Sequence, residues 1–138
     1  MTALGKLRVL IVDDKLQIRR TLRSLLSRWG FTRIDEASDS ATAMKRLRQR
    51  RYSLIISNGD MRPASGRALL WLVRADPALK SIPFILLAFP RERLGAAVRA
   101  IGASSCLARL DAQALKRAVA DVLARRGGAA AGALPMPA

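Results

Sequence analysis

A chain of 138 residues with 51% apolar content is long enough for one domain with a continuous core, and a single cysteine, Cys106, excludes an internal disulfide framework. Lys and Arg number 25 against 10 Asp and Glu, with no His, which excludes His-based catalysis and gives a formal charge of +15. That charge attracts polyanions, anionic lipid or an acidic protein face, and by itself selects none of them.

Aromatic residues supply only 4%, so the core must be Leu, Ile, Val and Ala, which suits helices packed on a buried sheet. The longest apolar runs fall far short of the roughly 20 residues that span a bilayer. With no leader-like opening, the chain is expected to be cytoplasmic and not inserted in a membrane.

Leu7 to Val12 is almost unbroken Leu, Val and Ile, the pattern of a strand covered on both faces, with Arg8 as the exception. From Leu16 to Trp29, Ile18, Leu22, Leu25, Leu26 and Trp29 form one helical stripe, and Gly30 supplies the stop. A short strand follows over Thr32 to Glu36. Ser38, Asp39 and Ser40 then offer N-caps for a helix through Met44 and Leu47 whose outer face carries Lys45, Arg46, Arg48, Arg50 and Arg51.

Leu54 to Ser57 predicts the third strand, and the loop Asn58 to Gly66 leads to a helix through Trp71 and Val73 that closes at Asp76 and Pro77. Pro83 to Ala88 predicts the fourth strand. Leu94, Ala97, Val98 and Ile101 mark the fourth helix, which Gly102 ends. Ser104 to Ala108 predicts the fifth strand, and Leu115, Ala118, Val119, Val122 and Leu123 the fifth helix, so the domain is expected to occupy residues 1–126. Residues 127–138 are Gly, Ala and Pro with Leu134 and Met136, the composition of a flexible tail. Cys106, Trp29 and Trp71 are expected to pack in the core or at helix edges.

In an open parallel α/β sheet, ligands sit at the carboxyl ends of the strands. Asp13, Asp14, Asn58, Ala88 and Arg109 occupy those positions here. Two adjacent carboxylates leaving a buried strand must be solvated, paired with cations or bound to a metal, and oxygen-only ligands point to magnesium.

The run VLIVDD over Val9 to Asp14, the loop Asn58-Gly59-Asp60-Met61 leading to Ser65-Gly66, Ile82-Pro83 and Gly102-Ala103 occur in order at compatible spacing. Together they resemble the response-regulator receiver family, most closely its stand-alone chemotaxis-type members. The resemblance implies a flavodoxin-like fold, a doubly wound five-strand parallel sheet in the order 2-1-3-4-5, working in two-component signalling without an enzymatic activity of its own.

In that family the paired acids hold magnesium, an aspartate after the third strand accepts a phosphoryl group, and a hydroxyl and a lysine after the fourth and fifth strands engage it. Asp13 and Asp14 match. Asn58 replaces the acceptor, Ala88 the hydroxyl and Arg109 the lysine, with Leu110 and Arg62 where prolines are usual. A neutral amide oxygen is a poor nucleophile, so Asn58 cannot be the phosphoacceptor.

Arg109 keeps a cation expected near the acids. No cofactor is required, and Asp13, Asp14 and the Asp60 carbonyl form a candidate for weak magnesium binding.

The resemblance therefore implies a receiver with a degenerate switch, working by phosphorylation-independent contact with a signalling protein. The face made by the fourth helix, fifth strand and fifth helix is the expected docking surface. The alternative is an arginine-mediated module for an anionic ligand, a cyclic dinucleotide or nucleic acid. Its candidate contacts are Arg91, Arg93 and Arg99, and the set Lys45, Arg46, Arg48, Arg50 and Arg51, which otherwise reads as a solvated face.

Overall fold

A computed structural model describes residues 3–87, 102–107 and 111–125. Five parallel strands form one sheet: β1 (Arg8–Val12), β2 (Arg33–Ala37), β3 (Leu54–Asn58), β4 (Phe84–Leu87) and β5 (Ser105–Leu107), in the order β2-β1-β3-β4-β5. This is the sheet order expected from the resemblance. The helices are α1 (Leu16–Arg28), α2 (Ser40–Gln49), α3 (Gly66–Ala75) and α4 (Ala112–Arg125), preceded by a 3-10 turn at Leu4–Lys6. The helix expected around residues 94–101 lies outside the described residues, so α4 here is the last helix.

Side chains alternate across a strand, so each strand feeds two cores. Val9, Ile11, Leu54, Ile56 and Ile85 face Leu22 and Leu26 of α1 and Leu115, Val119 and Val122 of α4. Leu10, Val12, Ile55, Phe84 and Leu86 face Met44 and Leu47 of α2 and Leu69, Leu70 and Val73 of α3. Fully burying a Leu, Ile or Val contributes about 1.5–3 kcal/mol, and these two layers carry most of the driving force for folding.

Several expectations are corrected in detail. Helix α1 stops at Arg28, and Trp29 is its buried C-cap, with Gly30 beyond it at φ +111. Of the three candidate caps of α2, Asp39 accepts from Thr42 N, while Ser40 begins the helix. Strand β2 starts at Arg33 and ends at Ala37, β3 extends to Asn58, β4 starts after Pro83, and β5 starts at Ser105 instead of Ser104, with Ala108 outside the described residues.

Trp71 is 60% exposed instead of packed, because Leu69, Leu70 and Val73 take the buried arc of α3 and leave Trp71 and Leu72 facing outward. The Cys106 side chain and residues 126–138 lie outside the described set.

Candidate functional site

The carboxyl end of the sheet is assembled by strand register. Val12 pairs with Ala37 on one side and Ser57 on the other, and Asn58 pairs with Leu87. Asp13 and Asn58 therefore leave neighbouring strands side by side, both buried at 2% and 5% exposure, while Asp14 and Asp60 are exposed.

The backbone around Asp13 is fixed by three hydrogen bonds. Its N–H donates to Ala37 O at 3.1 Å, its Oδ1 accepts from Lys15 N at 2.8 Å, and its carbonyl accepts from an Arg19 guanidinium N–H at 2.8 Å. Burial pushes the Asp13 carboxyl above the usual aspartate value. The Lys15 N–H and the Asn58 side chain pull it back, while neighbouring Asp14 pushes it further up.

Asn58 is engaged with its own loop. Its Oδ1 accepts from Asp60 N at 3.1 Å, and its Nδ2 donates to Asp60 O at 3.4 Å. Ser57 Oγ donates to Asn58 O at 3.1 Å, and Gly59 N donates to Leu87 O at 2.7 Å. At Gly66, the first residue of α3, a Cβ would sit 2.0 Å from Asn58 O, so only glycine lets the helix close this tightly on the loop.

Ser40 Oγ ties α2 to the same loop by donating to Ala64 O at 3.2 Å, and Ser65 Oγ caps α3 by accepting from Ala68 N at 3.1 Å. The tethering roles of Ser40, Ser57 and Arg19 were not legible beforehand. Their partners are backbone carbonyls brought near only by the fold.

Among the sequence-selected residues, the structure brings Asp13, Asp14 and Asn58 together, with the Asp60 backbone in contact with Asn58. Ala88, Arg91, Arg93, Arg99, Arg109 and Leu110 lie outside the described residues, so the expected proximity of Arg109 to the acids falls there too. Asp13, Asp14 and the Asp60 carbonyl are hard oxygen donors of the kind magnesium takes, but the third side chain is a neutral amide already hydrogen-bonded. Among the described residues no group of three or more His, Cys, Asp or Glu side chains is placed to hold a metal, so an ion here would meet Asp13, Asp14 and the Asp60 carbonyl alone, its charge offsetting the repulsion between the two acids.

The basic positions in α2 and just after it behave differently from a plain solvated face. Lys45, Arg48, Arg50 and Arg51 are exposed and Arg46 is half-buried, while Arg48, Arg50 and Arg51 line a cleft of about 820 Å³ with Leu79, Ser81 and Pro83. The cleft lies at the opposite, amino end of the sheet, where α2 turns into β3 and the chain approaches β4. Among the described residues, no helix is long and apolar enough to cross a membrane.

Comparison with known proteins agrees with this geometry. Residues 9–120 match the family described as the response regulator receiver domain. The chain is 34% identical to the chemotaxis protein CheY of Pseudomonas aeruginosa over 87 residues, covering 63% of this chain and 70% of that protein. It is also 34% identical to a probable CheY of Rhizobium etli over 110 residues, covering 79% and 85%.

Among solved structures, the response regulator TrrA of Thermotoga maritima in complex with Mg2+-BeF superposes with a TM-score of 0.75 at 28% identity, covering 85% of this chain and 99% of that one. Two acids following a buried strand, an asparagine beside them and a five-strand sheet in this order thus sit within a family match spanning most of the chain, which belongs to the response regulator receiver domain family, with chemotaxis-type single-domain relatives.

Proposed function

We propose that this receiver domain transmits signals in the cytoplasm by phosphorylation-independent protein–protein contact. Its role in signal transduction follows from the family, whose members are generally non-enzymatic. The finer reading rests on Asn58. At the carboxyl end of β3, next to Asp13, the side chain is a neutral amide whose oxygen accepts from Asp60 N. Attack on phosphorus needs an anionic oxygen, and this group offers none.

The surface comprising the 94–101 segment, β5 and α4 is the proposed docking face for the signalling partner. Magnesium, held weakly through Asp13, Asp14 and the Asp60 carbonyl, is not needed for that contact.

Acetyl phosphate with magnesium should leave the intact mass of the protein unchanged, and beryllofluoride should leave its spectrum unchanged. Stable uptake of one phosphoryl group by the wild-type chain would overturn the proposal. Asn58→Asp should regain a nucleophile but not the whole switch, because Ala88 carries no hydroxyl.

A second reading, binding of an anionic ligand such as a cyclic dinucleotide or nucleic acid, is favoured by one observation: Arg48, Arg50 and Arg51 converge on one open cleft. Arg91, Arg93 and Arg99 remain a separate candidate surface for it.

A further inference from the structure

We propose that the amino end of the sheet is a binding face for the phosphate backbone of duplex nucleic acid, a proposal that rests on the anionic-ligand reading and places it at one end of the fold.

Strand β2 carries Asp35 and Glu36, and arginines occupy both. Arg8 lies 3.2 Å and Arg50 3.8 Å from Asp35, which also accepts from the Tyr52 hydroxyl at 2.6 Å. Arg19 and Arg23 lie 3.1 and 2.6 Å from Glu36. Arg33, Arg48, Arg51 and Lys80 are exposed and form no ion pair among the described residues. All four flank the amino ends of strands: Arg33 begins β2, Arg48 and Arg51 precede β3, and Lys80 precedes β4.

Close by, Arg46 Nε is buried with no hydrogen-bond partner among the described residues. Four exposed cations and an under-satisfied guanidinium thus share one end, where Asp35 is already occupied.

The chemistry of the cleft selects the partner. An acidic peptide would need large apolar anchors, yet among the large apolar side chains lining the cleft Leu47, Tyr52, Leu79 and Pro83 are buried and Ile82 is half-buried, and the exposed lining positions are the arginines with Gln49, Ser81 and the small Ala78. Single strands are held largely by stacking on exposed aromatics, and the one aromatic lining this cleft, Tyr52, is buried at 5% exposure. Phosphate oxygens pair bidentately with guanidinium and need neither apolar anchor nor stacking platform. A duplex backbone presents such phosphates in closely spaced rows.

The test uses the full chain and fluorescence anisotropy with a mixed-sequence duplex of about 20 base pairs, a thymidine single strand, poly-glutamate, and phosphatidylglycerol–phosphatidylcholine vesicles. The wild type should bind duplex most tightly, with log K falling against log salt at about 0.9 per phosphate neutralised. The variant Arg33→Ala/Arg48→Ala/Arg51→Ala/Lys80→Ala should lose about 10-fold or more and show a shallower slope. The equally charged variant Arg20→Ala/Arg91→Ala/Arg93→Ala/Arg99→Ala should lose under about 3-fold, with unchanged circular dichroism in both.

Equal losses from both sets mean diffuse attraction and overturn the proposal, as does tighter binding of poly-glutamate, vesicles or single strand. Loss of duplex binding from the Arg91 set alone removes this face while leaving the anionic-ligand reading standing.

Discussion

Asp13 is 2% exposed beside a second carboxylate, so ionising it keeps a charge away from water. Its carboxyl is raised above the ordinary 3.8 chiefly by burial, so the folded state holds the proton more tightly than the unfolded chain. The resulting penalty is absent in strong acid and grows as the pH rises above 3.8. Asp13→Asn keeps an oxygen for the Lys15 N–H and removes the charge, and should stabilise the protein by about 1 kcal/mol near neutral pH. Urea unfolding checks this: the gain should be present near pH 7 and vanish near pH 3, and a gain independent of pH would point to packing instead.

Arg74 shows the opposite use of a buried charge. Burial holds its guanidinium below the usual arginine value, yet it donates to Gly102 O at 2.7 Å, Lys80 O at 3.0 Å and Ile82 O at 2.7 Å. These bonds tie the approach to β4 to the turn before β5. At Gly102, with φ +115, a Cβ would meet Arg74 Nε at 2.9 Å. Arg74→Met fills similar volume but abandons three carbonyls, and should cost about 2–3 kcal/mol in the same unfolding assay.

At the scale of elements, start signals and apolar stripes were legible because helix caps and periodicity are local. Asp39 before α2 and Ser65 before α3 both accept from backbone N–H groups of the first turn. Asp39→Ala should therefore cost about 1 kcal/mol, read as a lower urea midpoint. The strand acids were not legible, because Arg8 and Asp35 stand 27 residues apart and Arg23 and Glu36 stand 13 apart. Only the β1–β2 pairing and the fall of α1 beside β2 bring them together. The exposure of Trp71 was equally hidden, since three apolar neighbours in α3 compete for one buried arc.

Those strand acids contribute to the response of the fold to acid. Burial opposes ionisation at Asp35 and Glu36, but Tyr52 with Arg8 and Arg50 at the first, and Arg23 with Arg19 at the second, outweigh it and hold both carboxyls below their ordinary 3.8 and 4.5. Folded values below unfolded ones mean stabilisation that is present above pH 4.5 and lost as the pH falls through the lowered values. Glu36→Gln should flatten that acid decline in a pH series of urea midpoints, while lowering stability at neutral pH. A decline as steep as the wild type's would remove Glu36 from the account.

For the whole molecule, a parallel sheet gives its two ends different chemistry. Asp13 and Asp14 leave the carboxyl end of β1, and Arg33, Arg48, Arg51 and Lys80 flank the amino ends of β2, β3 and β4. The acid pair was legible as the exit from an apolar strand, whereas the 820 Å³ cleft was not, because its walls come from α2 and the approach to β4.

The carboxyl end yields the sharpest test of what Asn58 does to the fold. Asn58→Asp would set a third carboxylate beside buried Asp13 and exposed Asp14, so without metal the variant should be less stable than the wild type by about 1–2 kcal/mol. The same carboxylate completes an anionic oxygen set, and an ion that binds only the folded state stabilises by RT ln(1 + [L]/Kd), about 2.7 kcal/mol at 100 Kd. Thermal melts in EDTA and in about 10 mM magnesium should show a small shift for the wild type and a larger one for the variant, enough to cross the wild-type curve. Equal shifts in both proteins would mean that residue 58 does not face the ion, and that Asp13 and Asp14 hold magnesium without it.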